Sequence, residues 1–224
     1  MVTKRLSRHE KAAFEIIPKT AKQVEYLEAL DNFSQVVVLG PAGTGKTFIA
    51  ATHAAGLLVS KQVSKIVLTR PNISSGRSLG YFPGSLEEKM APWMMPVLDV
   101  LYKHLTKVQV TNLIKTGVIE IAPFETMRGR SFEDCYIILD EAQNVSPHEM
   151  KMFLTRVGEN CTVVLNGDVE QSDLSRDSGL VTAIKLIKRY LLPIPIIEFK
   201  VEDIVRSDLC KAWIIAFMKE EGKY

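Results

Sequence analysis

The sequence predicts an α/β protein built on an open, mostly parallel sheet with helices on both faces. Three observations predict it. Short β-branched runs alternate with longer amphipathic segments along the chain, the pattern that produces strand–helix–strand crossovers. Several of those runs are apolar at consecutive positions, as parallel strands covered on both faces must be. Polar motifs follow the strands, and sheets of this kind bind ligands at the carboxyl ends of their strands.

In chain order, the expected strands are QVVVLG (35–40), KIVLT (65–69), VIEIAP (118–123), YIILD (136–140), TVVLNG (162–167) and IIEF (196–199). Helices are expected over 20–31, 45–60, 86–105, 147–157, 178–191 and 208–220. Ser146, Pro147 and Glu149 open one of them as N-cap, first-turn proline and capping-box acid. No repeat, low-complexity tract or Gly/Ser/Pro-rich linker interrupts the series, so residues 1–224 are expected to form one domain. Single α/β units commonly reach ~200–250 residues.

Composition sets the outer bounds. Hydrophobic residues make up 46% and charged residues 24%, ordinary globular values that supply a packed core. A net charge of +2 neither requires nor forbids a nucleic-acid partner, because phosphate contact depends on local clusters. Cys135, Cys161 and Cys210 form no CxxC pair, which argues against a disulfide framework or a zinc site and for small core residues. The opening MVTKRLSRHEK has no apolar run behind it, so no signal peptide is expected. No stretch approaches the ~18 apolar residues of a membrane span. A cytoplasmic protein is the expectation.

The chemistry begins with GPAGTGKT. Gly40, Pro41, Ala42, Gly43, Thr44, Gly45, Lys46 and Thr47 follow a β-branched strand and open a helical segment, the setting of a phosphate-binding loop. The glycines let the backbone turn its N–H groups inward, and the helix N-terminus adds positive potential. Lys46 is placed to reach the β and γ phosphates, and the Thr47 hydroxyl to hold Mg²⁺. An incidental glycine-rich turn is the competing explanation, and the flanking strand and helix count against it. A nucleoside triphosphate with Mg²⁺ is the expected ligand.

IILDEAQN (137–144) then sets two adjacent carboxylates at the end of an apolar run, where burial without a ligand is expensive. Asp140 is expected to end a strand beside the loop strand and to hold the Mg²⁺–water shell. Glu141 is the natural general base for an attacking water. The alternative is a strand-end pair that caps the next helix. NGDVEQSD (166–173) repeats the layout, and Gln171 either senses the γ-phosphate or is a solvated loop amide.

These residues, with LTRP (68–71), LGYFPGSLEEKMAP (79–92), APFETMRGRSF (122–132), MKMFLTRVG (150–158) and EDIVRSDL (202–209), resemble the PhoH family. That family comprises phosphate-starvation-type ATPases related to the first motor domain of superfamily 1 helicases. The resemblance runs from about residue 14 to about residue 217, with Tyr81 and Ser85 as mild departures. It implies a P-loop NTPase with a single RecA-like sheet. It also implies that Gln23 contacts adenine, that Lys46, Thr47, Asp140 and Glu141 bind and hydrolyse ATP, that Gln171 is the helicase-type glutamine, and that Arg206 contacts the γ-phosphate. Other roles remain open: TAKQ (20–23) is equally a capping box, and Arg206 could form a surface ion pair.

A superfamily 1 motor closes two such domains on one nucleotide, and this chain has room for one. Either neighbouring subunits complete each site or the protein does not translocate; the expectation is a ring-like homo-oligomer, such as a hexamer, with Arg206 or Arg130 reaching into the adjacent site. Arg70, Arg77, Arg128 and Arg130 are basic loop residues near the sheet's carboxyl edge, suited to single-stranded RNA or DNA. The resemblance assigns that contact to Arg70 and Arg128. Tyr81, Phe82 and Trp93 could stack on bases, or bury in a core or subunit contact. Two other functions compete. A small-molecule kinase of the thymidine-kinase type would carry a zinc-binding cysteine lasso, which is absent here. A nucleotide-gated binding module with slow turnover fits the same motifs.

Overall fold

In β1 (Gln35–Leu39) every residue after the first is buried, and the strand's alternation feeds two separate apolar layers. Val36 and Val38 pack into one cluster, Val37 and Leu39 into the other. The same division holds in β2 (Lys65–Thr69), β4 (Cys135–Leu139) and β5 (Thr162–Gly167). Side chains alternate across a strand, so a continuous apolar run covers both faces of a sheet. The computed structural model describes residues 14–71, 90–169 and 178–220.

Short β3 (Ile119–Ile121) and β6 (Ile196–Glu198) complete six parallel strands in the order β3–β2–β4–β5–β1–β6. All six expected strands are present. One expectation is corrected: Asp140 does not end a strand beside the loop strand. β5 lies between β1 and β4, bonded in register to both.

The helices are α1 (Ala21–Asn32), α2 (Lys46–Val59), α3 (Met95–His104), α4 (Lys107–Lys115), α5 (Pro147–Leu154), α6 (Gly179–Tyr190) and α7 (Asp208–Glu220). Ser146 and Glu149 close the expected capping box at the head of α5. The segment expected as one helix over 86–105 begins outside the described residues. Within them it is a 3₁₀ turn, Ala91–Met94, followed by α3. Pro92 and Pro96 cannot donate to an α-helical ladder, so the helix restarts around them. Helix α4 was not expected. Its apolar signal is weak, with Val110 alone fully buried, and it is held at its start by a Thr106–Gln109 capping box.

Cys135 and Cys161, distant in sequence, are buried neighbours with their sulfurs 3.4 Å apart, both free thiols. Cys210 is exposed on α7, which corrects its expected place in the core. No described helix is long and apolar enough to cross a membrane.

Candidate nucleotide site

The strands run parallel, so their carboxyl ends meet on one edge of the sheet. A cavity of about 780 Å³ opens there, within the ~300–1,000 Å³ typical of ligand pockets. The loop after β1 forms its centre. Gly43 and Gly45 have φ of +86° and +94°, left-handed values that a side chain disfavours. Their missing side chains also admit two neighbours. A Cβ on Gly43 would lie 2.8 Å from Arg206 Cγ, and one on Gly45 would lie 2.9 Å from Gln23 Nε2.

Gln23 is buried on α1 and fastened to this loop. Its Nε2 donates to the Thr44 carbonyl at 2.9 Å, while its Oε1 accepts from the Lys19 N–H at 2.8 Å. Thr20 does cap α1 by accepting from the Gln23 N–H at 3.2 Å. The side-chain half of the capping box is absent, because Gln23 Oε1 accepts from the Lys19 N–H rather than from that of Thr20. Arg206 follows β6 and lines the cavity beside Gly43 of its own chain, where the Val205 N–H donates to the Gly43 carbonyl at 3.0 Å.

Lys46 opens α2, and its Nζ donates to the Gly40 and Pro41 carbonyls at 2.6 and 3.0 Å. Burial lowers its pKa, against the nearby charges of Asp168, Asp140 and Glu141. Thr47 Oγ1 donates to Asp140 Oδ1 at 3.2 Å. Burial raises the Asp140 pKa and the Glu141 charge adds to it, with Arg70, the Thr47 hydroxyl and Lys46 opposing. A buried carboxylate and a hydroxyl side by side are hard oxygen donors that fit Mg²⁺.

Glu141 has φ of +55° and turns into the cavity next to Asp140. Its Oε2 accepts from Gln143 Nε2 at 2.6 Å, and its Oε1 lies 3.8 Å from an Arg70 amino group. Arg70 also donates to the Trp93 carbonyl at 3.2 Å. Arg70 therefore contacts the carboxylate end of the site. Trp93 is 38% exposed, outside the core.

Arg130 stands apart from this cluster. Both of its amino groups pair with Glu120 of β3, at 2.5 and 3.0 Å, and its guanidinium lies over Phe132. Lys65 binds the same carboxylate. This guanidinium, a candidate finger or nucleic-acid contact, is thus held in a partly exposed ion pair within its own chain. Arg128 is exposed. Gln171, Arg77, Tyr81, Phe82 and Ser85 lie outside the described residues.

The motifs assembled in this cavity are those of a known family, whose profile, PhoH-like protein, matches residues 15–218. The chain belongs to the PhoH-like family. It is 42% identical over 216 residues to "Protein PhoH" of Escherichia coli (strain K12), covering 95% of this chain and 61% of that protein. It is 43% identical over 204 residues to a "PhoH-like protein" of Bacillus subtilis (strain 168), covering 90% of this chain and 64% of that one. It thus spans just over three-fifths of these relatives' length. Among solved structures, the Pif1 helicase from Candida albicans aligns at 15% identity and a TM-score of 0.36, over 83% of this chain and 41% of that one. With its parallel sheet and phosphate loop, this PhoH-like chain is a P-loop NTPase-type protein.

Three residues of this PhoH-like site had no role from sequence. Gln143, inside the IILDEAQN motif, links Glu141 to the loop after β5 by accepting the Asp168 N–H on its Oε1 at 3.0 Å. Asp168 itself lines the cavity. Asn166 does so from a fully buried position. Its signal in the sequence was a polar residue closing the otherwise apolar TVVL run.

Proposed function

We propose that this chain is a Mg²⁺-dependent ATPase that couples hydrolysis to binding or unwinding of RNA or single-stranded DNA within a homo-oligomer. One observation carries the reading: the phosphate loop, the Thr47–Asp140 contact and Glu141 share one cavity. The loop N–H groups and the α2 N-terminus bind the triphosphate, and Lys46 exchanges the Gly40 and Pro41 carbonyls for phosphate oxygens. Gln23, fixed to the loop at Thr44, contacts the base. Thr47 and Asp140 would hold Mg²⁺, which when bound neutralises charge on the β and γ phosphates. Glu141 takes the proton of the attacking water. Gln171 and Arg206 report the γ-phosphate.

The 1–224 domain acts in the cytoplasm as one unit of a ring. Arg206 lies beside Gly43 of its own chain, which favours action in cis over a finger in trans. Nucleic-acid contact falls first on exposed Arg128. A second reading, a nucleotide-gated module with slow turnover, is favoured by the hydrogen bond from Gln143 and the Arg70 ion pair that occupy the Glu141 carboxylate.

The test is steady-state ATP hydrolysis with and without single-stranded RNA and DNA, with Lys46→Ala and Glu141→Gln as controls. Stimulation by one nucleic acid, lost in both variants, supports the coupled ATPase. Turnover indifferent to either nucleic acid selects the gated module.

A further inference from the structure

We infer that Asn166 is a further catalytic residue of this site. Its side-chain amide donates to the terminal phosphate of the bound nucleotide and accepts from the attacking water. The inference rests on the ATPase reading above.

Asn166 is fully buried, and among the described residues neither its Nδ2 nor its Oδ1 has a hydrogen-bond partner. It nevertheless lines the cavity together with Lys46, Asp140, Glu141 and Asp168. The other buried side chains of β5, Val163, Val164 and Leu165, are apolar. An apolar residue at 166 would complete the strand without stranding two polar atoms, an omission that native interiors rarely tolerate.

Register shows which way the amide faces. Leu139 of β4 pairs with Leu165 of β5, and Val38 of β1 pairs with Asn166. Asp140 and Asn166 each come one residue later than that first pair. Side-chain alternation therefore sends both toward the layer that holds Val38, Ile138 and Val164. Helix α2 packs into the same layer through Ile49 and Ala50, so Asn166 projects toward the side where Lys46 and Thr47 begin α2.

The chemistry at that point needs a group of this kind. Lys46 only donates, and ionised Asp140 and Glu141 only accept. A neutral amide does both. It can bridge a phosphate oxygen and a water without adding another negative charge.

The test uses the full chain with two variants. Asn166→Leu removes both polar atoms while keeping the branching and heavy-atom count, and Asn166→Asp keeps the shape but replaces the amide donor. Affinities for ADP and for a non-hydrolysable ATP analogue, both with Mg²⁺, are measured beside single-turnover hydrolysis and thermal midpoint. For Asn166→Leu, the midpoint should equal or exceed that of the parent chain. ADP affinity should stay within about twofold and analogue affinity should fall about tenfold, as loss of one bond to a charged group implies. Hydrolysis should fall about 100-fold, the scale of one lost transition-state donor. Asn166→Asp should lose the analogue-over-ADP preference as well, and it carries the test alone if the leucine variant does not fold. A variant that keeps this preference and hydrolyses within about threefold of the parent chain overturns the inference, and the amide then only anchors an internal water. A parent chain without turnover defeats the ATPase reading, yet the preference for the analogue over ADP still decides the role of Asn166.

Discussion

Asp140→Asn should stabilise the nucleotide-free protein while destroying its response to Mg²⁺–ATP. Asp140 is 7% exposed, and the Thr47 hydroxyl at 3.2 Å is a neutral donor. Lys46, the nearest lysine of the site, directs its Nζ to the Gly40 and Pro41 carbonyls, and the Glu141 charge opposes ionisation. Burial raises the Asp140 pKa, so the fold favours the protonated carboxyl. Its contribution to stability is complete below the unfolded pKa of ~3.9 and is lost as pH rises through the higher folded value. At neutral pH the charge is a penalty that an isosteric amide removes while keeping an oxygen for Thr47. A gain of about 1–2 kcal/mol is expected, the lower part of the range for replacing buried charge by neutral groups. For a domain of this size that is about 2–8 °C in thermal midpoint. Melting curves at pH 7 should show the gain, and at pH ~3.5, below the unfolded value, the two proteins should converge. Adding Mg²⁺–ATP should raise the parent midpoint and leave that of the variant unmoved. A variant that melts lower at pH 7 without nucleotide would mean that Arg70 and Lys46 outweigh the cost of burial, and the reasoning would be refuted.

Three further perturbations probe the loop and its surroundings. Gly43→Ala forces a left-handed alanine, costing about 1–2 kcal/mol, and drives its Cβ toward Arg206 Cγ at 2.8 Å; nucleotide titration should show affinity down at least about tenfold. Gln23→Ala strands the Thr44 carbonyl and the Lys19 N–H; a loss of about 1–2 kcal/mol should accompany a narrowed preference for ATP over GTP, and an unchanged preference would count against its contact with the base. Arg130→Ala should leave turnover intact and cost about 0.5–1 kcal/mol, the scale of a partly exposed pair. Arg130 holds the Glu120 pKa down, against burial and with help from Lys65. The lost stability is therefore present above the usual carboxylate pKa and fades as pH falls through the lowered one, so parent and variant should differ in thermal midpoint at neutral pH and converge in acid. Collapse of turnover instead would restore Arg130 as a finger.

Much of this architecture was legible because its signals are local. Apolar runs such as QVVVLG report burial on both faces, and GPAGTGKT carries its strand, turn and helix start within one short stretch. What was missed depends on the order of strands, which no local pattern encodes. The insertion of β5 between β1 and β4 brings Asn166 into the site, and a lone asparagine after TVVL does not announce it. The pairing of Arg130 with Glu120 was likewise hidden, since it depends on how the chain returns past β3. Helix α4 escaped because a short helix with little buried surface has almost no periodicity to detect, although its capping box was readable.

The same alternation explains how two consecutive carboxylates serve one cavity. Leu139 packs in one layer and Ile138 in the other, so Asp140 follows Ile138 toward α2. A further extended residue would point to the opposite face, away from the nucleotide. Glu141 escapes that parity through its left-handed backbone, φ +55°, a conformation that costs a non-glycine residue about 1–2 kcal/mol. The turn is held from both sides. Gln143 bonds the Glu141 carboxylate and reaches the Asp168 N–H just after β5, while Arg70 approaches from the end of β2. Strain retained under such bracing belongs to residues whose direction matters more than their stability. Asp140 needs only the strand to aim it, whereas Glu141 needs a turn and two partners. The partners that aim it also occupy its oxygens, so under the proposed hydrolysis these are the contacts that Glu141 would exchange for water.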